Sequence, residues 1–339
     1  MIDLLVAGGG PAGLSTALLA ARAGLEVAVV EPRSGTVDKA CGEGLMPGAV
    51  AALARLGVHP DGHQIRGIRY TDGTRDAVAA FPGGPGRGVR RTALHDALRH
   101  AVAEAGVPIH QGRVTTVGQD ENSVTAAGFT ARYLAAADGL HSPVRAALGL
   151  DRPASGPRRF GLRRHYAMAP WTDLVDVHWA AESEAYVTPV GPDLVGVAIL
   201  GGRSAGFEEA LKAFPRLLER LPARPVTSTR GAGPLRQRVR RRVAGRVLLV
   251  GDAAGYVDAL TGEGIAVSLG CAAALVDAVA ASRPADYERT WRQASRRYRW
   301  LTGTLLWTRR QPVLGRAIVP AAAALPPVFR MAVGQLARG

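Results

Sequence analysis

Six residues near the start of the chain, Gly8-Gly9-Gly10-Pro11-Ala12-Gly13, carry a G-x-G-x-x-G spacing. Glycines so placed meet three separate needs. Gly8 permits a tight turn, Gly10 has no Cβ to keep a pyrophosphate from the backbone, and Gly13 lets the next helix pack closely on the preceding strand. The helix opened by Pro11 then points unpaired N–H groups and partial positive charge at the phosphates. Glu31 stands 18 residues beyond Gly13, where a carboxylate can accept hydrogen bonds from an adenosine ribose. It would repel a 2′-phosphate, which favours FAD or NAD over NADP.

Three further segments carry chemistry. Asp38-Lys39-Ala40-Cys41-Gly42-Glu43-Gly44-Leu45 sets a thiol in a glycine-rich turn. A free cysteine there can be a small buried hydrophobe, shape a pocket or donate a proton. Ala136-Ala137-Asp138-Gly139-Leu140-His141-Ser142-Pro143-Val144-Arg145 forms the second segment. The third is Arg246-Val247-Leu248-Leu249-Val250-Gly251-Asp252-Ala253-Ala254-Gly255, followed by Thr261-Gly262-Glu263-Gly264. Asp252 alone would read as a helix cap. With Gly251, the apolar strand before it and the TGEG turn after it, it reads as a cofactor contact. The helix opening near Ile265 can stabilise negative charge on a reduced cofactor ring.

The elements that position these groups are legible from periodicity. Residues 2–7 and 26–31 are short apolar runs, as in buried parallel strands, and residues 11–23 between them read as a helix ending before Gly24. Helices are also expected over 46–56, 90–107, 207–221, 264–281 and 286–308. Strands are expected at 107–110, 113–118, 122–127, 129–137 and 246–250. Residues 65–81 and the β-like runs of 158–200 suggest a separate antiparallel sheet.

Length of 339 residues, 47% apolar and 21% charged content describe an ordinary globular chain of about two domains. The net charge is +14, and Lys39 and Lys212 are the two lysines. This arginine bias accompanies abundant Ala and Gly, without aromatic platforms or a recognised module, so nucleic-acid binding is not expected. Cys41 and Cys271 fit neither a metal site nor a disulfide framework, which suits a reducing cytoplasm. The N-terminus enters a strand at once, so no signal peptide is expected. The basic tract Arg236–Arg242 reads as a solvated loop and strand edge, with lipid headgroups or an anionic substrate as its other partners, and Lys39 as a partner in a surface salt bridge. The apolar, arginine-dotted residues 301–339 read as packed helices, with a greasy tunnel or contact with a membrane surface as the other uses.

Together these motifs resemble the FAD enzymes related to para-hydroxybenzoate hydroxylase and geranylgeranyl reductase, in order and over nearly the whole chain. The resemblance implies an α/β fold with a Rossmann-type FAD-binding domain of residues 1–64, 90–150 and 241–300. An antiparallel-sheet substrate domain of residues 65–89 and 151–240 is interleaved with it, and 301–339 form a C-terminal helical segment. It implies FAD contacts at Gly8, Gly10, Pro11, Ala12, Gly13, Glu31, Arg33, Gly42, Arg91, Val114, Asp138, Gly251, Asp252, Gly262, Gly264 and Ile265. Asp252 takes the ribityl role, Arg145 braces the Asp138 segment, and Arg91 opens the helix beside the flavin. The KxCGEG pattern around Cys41 resembles the geranylgeranyl reductase branch, where this cysteine lies near the flavin ring.

The expected activity is that of a monooxygenase using NAD(P)H and O2 on an apolar, aromatic or polyketide-like substrate. Reduction of isoprenoid alkenes is the alternative; a flavin halogenase and a non-catalytic flavin protein stand behind it. The choice turns on Tyr186-Val187-Thr188-Pro189. The reductase branch often carries YxWxFP there, and halogenases rely on WxWxIP; this chain lacks those tryptophans. Trp179 and Tyr186 are the expected substrate-pocket residues.

Overall fold

The computed structural model describes residues 1–202 and 206–338. Residues 203–205, within the span expected for the substrate domain, and Gly339, at the end of the C-terminal segment, lie outside the described residues. Strand Ile2–Ala7 lies between Val27–Glu31 and Phe129–Ala136, parallel to both. Ile109–Gln111 and Val247–Leu249 extend the sheet on either side, again in parallel. Leu4, Leu5, Val6, Leu134, Leu248 and Leu249 are fully buried, as strands covered on both faces must be. The helix Pro11–Arg22 packs against both Arg91–Glu104 and Gly264–Ala280.

A second sheet holds Arg230–Ala232, Phe160–Ala167, Leu194–Gly201, Glu184–Gly191, Leu174–Trp179, Gly67–Thr71 and Asp76–Ala80, in that order. It is antiparallel except where Leu174–Trp179 meets Gly67–Thr71. The strands of 67–80 thus share a sheet with those of 160–232, although helix Arg91–Glu104 and strand Phe129–Ala136 come between them in sequence. Alternation divides the two faces. Tyr166, Val187, Val197 and Ile199 pack under the short helices Phe207–Leu211 and Pro215–Arg220. Ile68, Tyr70, Val175 and Val177 face the other way, toward the C-terminal helices.

Two expectations change. The single helix over 207–221 is broken, because Pro215 has no N–H to continue the ladder and starts a new turn instead. Residues 113–117 are not a strand; the chain leaves the sheet at Gly112 and turns Val114 into the interior. The helix expected over 286–308 is present as Asp286–Arg310. Two proline-initiated helices follow, Pro312–Ala324 and Pro326–Ala337, bent by 104° at their junction. Among the described residues no single helix is long and apolar enough to cross a membrane.

Candidate active site

A cavity of about 850 Å³ opens between the two sheets. Gly8, Gly10, Pro11, Ala12, Glu31, Arg33, Val114 and Asp138 line it from the first sheet. Ile68, Tyr70, Val175, Val177, Tyr186 and Ala198 line it from the second, and Leu336 from the last helix. The connecting segments contribute Lys39, Cys41, Gly42, Asp252 and Gly262, and the helix starts contribute Arg91, Gly264 and Ile265.

The glycine loop is built as its spacing requires. Gly8 has φ +108, and a Cβ there would lie 2.5 Å from the Ala137 carbonyl oxygen. A Cβ at Gly13 would lie 1.8 Å from the Gly8 oxygen, so this residue packs the helix and does not line the cavity. At Gly10 a Cβ would meet nothing within 4 Å, which leaves bare backbone facing open space. Gly251 also stands behind the lining; its Cβ position is 2.6 Å from Ala12, so it seats the late turn on the first helix.

Glu31 receives the Gly9 N–H on Oε2 at 2.6 Å, and Arg33 Nε on Oε1 at 2.6 Å. Burial works against its charge, but Arg33 and the Gly9 amide outweigh it and hold its pKa below the ordinary carboxylate value. Oε1 also takes the Arg33 backbone N–H at 3.1 Å, so it is Oε2 that keeps a lone pair for a sugar hydroxyl. Asp138 accepts the Val144 N–H on Oδ2 at 3.0 Å. Its Oδ1 is buried with no partner among the described residues, and burial raises its pKa. Arg145 is 3% exposed and donates to the carbonyls of Leu140 at 3.0 Å and Ala253 at 3.1 Å. It therefore ties the Asp138 loop to the Asp252 turn. Burial also raises the pKa of Asp252, against the pull of Lys39 and Arg91.

Lys39 is not the surface salt-bridge partner expected: it forms no ion pair within 4 Å among the described residues, and it lines the cavity. It is exposed to the open cavity, where desolvation by the walls, then Arg33 and Arg91, hold its pKa below the ordinary lysine value. In the basic tract, Arg242 turns inward, lies 3.7 Å over the Trp291 ring and pairs with Glu288 at 3.2 Å. That end of the tract is packed, not solvated.

Cys41 faces the cavity, and burial pushes its thiol pKa up. Its Sγ accepts the Glu43 N–H at 3.4 Å. Glu43 has φ +60, a left-handed conformation uncommon outside glycine, and its side chain is 1% exposed. One carboxylate oxygen takes the Arg91 backbone N–H at 2.8 Å; the other meets His165 Nε2 at 2.7 Å. His165 Nδ1 lies 3.1 Å from the Arg163 guanidinium. A guanidinium only donates, so Nδ1 accepts, and Nε2 carries the hydrogen given to Glu43. Arg163 also pairs with Asp38. Both ends of the Cys41 segment are thus anchored on strand Phe160–Ala167. Sequence reasoning missed Arg163 and His165. The available signal was three consecutive basic residues, Arg163-Arg164-His165, in a strand.

Tyr186 lines the cavity, but its hydroxyl is committed to the Leu260 carbonyl at 2.8 Å. Trp179 does not line it, contrary to expectation. It shares strand parity with Val175 and Val177, but at its end of the strand Tyr70 and Arg309 cover it, with ring centroids 5.2 Å apart and the guanidinium 5.4 Å away. Tyr70 and Leu336, which sequence reasoning did not single out, take wall positions instead.

A nucleotide cradle opening onto an apolar pocket, within this pair of sheets, defines an FAD-dependent oxidoreductase. The chain belongs to the FAD binding domain family, which it matches over residues 1–285. It is 28% identical over 329 residues to a menaquinone reductase of Mycolicibacterium smegmatis, covering 85% of this chain and 79% of that one. It is 31% identical to digeranylgeranylglycerophospholipid reductase 1 of Methanopyrus kandleri, covering 79% and 78%. In fold it is similar to a flavoprotein/dehydrogenase of Cytophaga hutchinsonii, with a TM-score of 0.86 at 18% identity over 99% of this chain and 93% of that one. The residues present fit FAD. Open backbone at Gly10, a charged Glu31 and the unpartnered Asp138 oxygen supply the donors and acceptors that a dinucleotide needs.

Proposed function

We propose that the protein reduces carbon–carbon double bonds of an isoprenoid chain, with NAD(P)H as the source of electrons. Bound FAD, once reduced, supplies hydride. The second hydrogen is a proton, and Cys41 holds one at Sγ, because burial keeps its thiol protonated at neutral pH. Donation from Sγ to the other alkene carbon completes the addition, and the thiolate is reprotonated from water after the product leaves. Ile68, Val175, Val177, Leu260 and Leu336 give the hydrocarbon a wall without charged side chains and exclude water. A protonated thiol and a hydrocarbon wall in one cavity carry this reading. The names of the menaquinone and digeranylgeranylglycerophospholipid relatives support it.

Hydroxylation of an aromatic or polyketide-like substrate with O2 is the second reading. It is favoured by strand Glu184–Gly191, which lacks the tryptophan and phenylalanine seen in the reductase branch. One experiment separates the two. The flavin-loaded protein is reduced without oxygen and mixed with polyprenyl compounds, then with phenols as oxygen is admitted. Reoxidation by a polyprenyl compound before oxygen enters, with a saturated product, is the expected result. Oxygen label appearing in a phenol, with no anaerobic reoxidation, would establish hydroxylation instead. Cys41→Ser should retain flavin and slow alkene reduction about 100-fold; an unchanged rate would remove the thiol from the mechanism.

A further inference from the structure

We propose that the C-terminal helices dock the protein on the surface of an anionic lipid bilayer. After Glu288 the chain contains ten arginines and no aspartate or glutamate. Arg292, Arg296, Arg299, Arg310, Arg316 and Arg330 are exposed. Seven of the eleven exposed large hydrophobic side chains among the described residues fall between Trp300 and Met331. Trp300 is 66% exposed, Trp307 59% and Val313 78%. The two tryptophans are seven residues apart, which places them on one stripe of helix Asp286–Arg310 two turns from each other. Val313 follows at the start of the next helix, and Val328 and Met331 project from the last.

Exposed apolar side chains in this number mark an interaction surface. The charge selects its partner. A cationic stretch with no carboxylate after Glu288 repels basic partners and is drawn to anionic headgroups, at about 1 kcal/mol per arginine near the membrane. Tryptophan is the side chain best suited to the headgroup boundary. Apolar insertion together with basic attraction supplies the two signals that stable peripheral binding needs. The bent pair Pro312–Ala324 and Pro326–Ala337 turns by 104°, and its buried side chains pack on the second sheet, which suits lying on a surface. In the last helix, Phe329, Val333 and Leu336 are buried while Val328 and Met331 are exposed, and Leu336 reaches the cavity wall. One helix therefore links the exposed surface to the cavity interior. The inference rests on this surface and not on the reaction proposed above.

The test is co-sedimentation of the flavin-loaded full chain, without substrate, with vesicles of equal parts phosphatidylglycerol and phosphatidylcholine, and with phosphatidylcholine alone. Binding at least about tenfold stronger to the anionic vesicles, weakened by salt, is expected. Trp300→Ser with Trp307→Ser, and separately Arg310→Gln with Arg316→Gln, should each lower binding about tenfold or more at unchanged flavin content and melting temperature. Failure to sediment with either vesicle would overturn the proposal, as would binding that both double variants leave intact. So would a lipid-free dimer, seen by sedimentation velocity, that the tryptophan substitutions dissociate; that surface would then join two copies of the chain. None of these readouts depends on turnover, so a wrong reaction and a wrong surface give different results.

Discussion

Glu43 holds a left-handed backbone and a buried carboxylate between the Arg91 amide and His165. Strain of this kind costs on the order of 1–3 kcal/mol and persists only where surrounding contacts over-determine it. Here the contacts hold the thiol-bearing loop against the cavity. Glu43→Ala would leave His165 and the Arg91 amide without their acceptor, and a loss of about 3 kcal/mol is expected in urea denaturation. Glu43→Gln removes a negative charge that helps raise the Cys41 thiol pKa. Alkylation of Cys41 by iodoacetamide should then begin at lower pH than in the parent protein. The sequence made some of these residues readable and hid others for a simple reason. Gly8, Gly10, Gly13 and Glu31 belong to one strand–helix–strand unit, so spacing alone conveys their geometry. Glu43 and His165 are 122 positions apart, and only the pairing of distant strands brings them together. Trp179 was misread because parity says which face a residue takes, and cannot say what already covers that face.

The helix Gly264–Ala280 begins beside Glu263, whose side chain is 1% exposed, with one oxygen 3.7 Å from Arg297 and the other unpartnered among the described residues. Burial pushes its pKa up from 4.5 to about 7, with Arg297 opposing. The folded state therefore keeps a proton that the unfolded chain has released. This contribution to stability is fully present below pH 4.5 and declines as pH rises toward about 7, by at most about 1.4 kcal/mol per unit. Glu263→Gln mimics the protonated acid, so melting temperature should fall less between those limits than in the parent. Gly13→Ala acts on the same layer from the other side. A Cβ 1.8 Å from the Gly8 oxygen must push helix Pro11–Arg22 off its strand, and purified protein should carry little or no FAD, as read by its absorbance. Long periodic elements such as Pro11–Arg22 and Asp286–Arg310 were legible because their apolar spacing repeats over several turns. Helix 207–221 was not, since its apolar pattern continues across Pro215 while its hydrogen bonds cannot.

The C-terminal helices bind the two halves of the molecule to each other. Phe329 lies 4.9 Å from the Tyr70 ring, and Tyr70 lines the cavity. Arg309 reaches Glu184 of the second sheet at 3.0 Å, and Arg159, just before strand Phe160–Ala167, pairs with Asp258 at 2.9 Å, beyond the Asp252 turn. Phe329→Ala should cost about 3–5 kcal/mol in denaturant unfolding. These contacts left no trace in local sequence pattern, because each joins segments that are unremarkable alone. The strand order carries a consequence for biogenesis. In chain order the glycine loop precedes by far both Val247–Leu249, which extends the sheet behind it, and Leu336, which lines the cavity. A nascent chain arrested at residue 240 should therefore hold no FAD at any concentration that saturates the finished protein, as flavin fluorescence would show. Cofactor capture would then follow the emergence of Leu336, and until that point the apolar wall must be kept from other chains by speed or by chaperones.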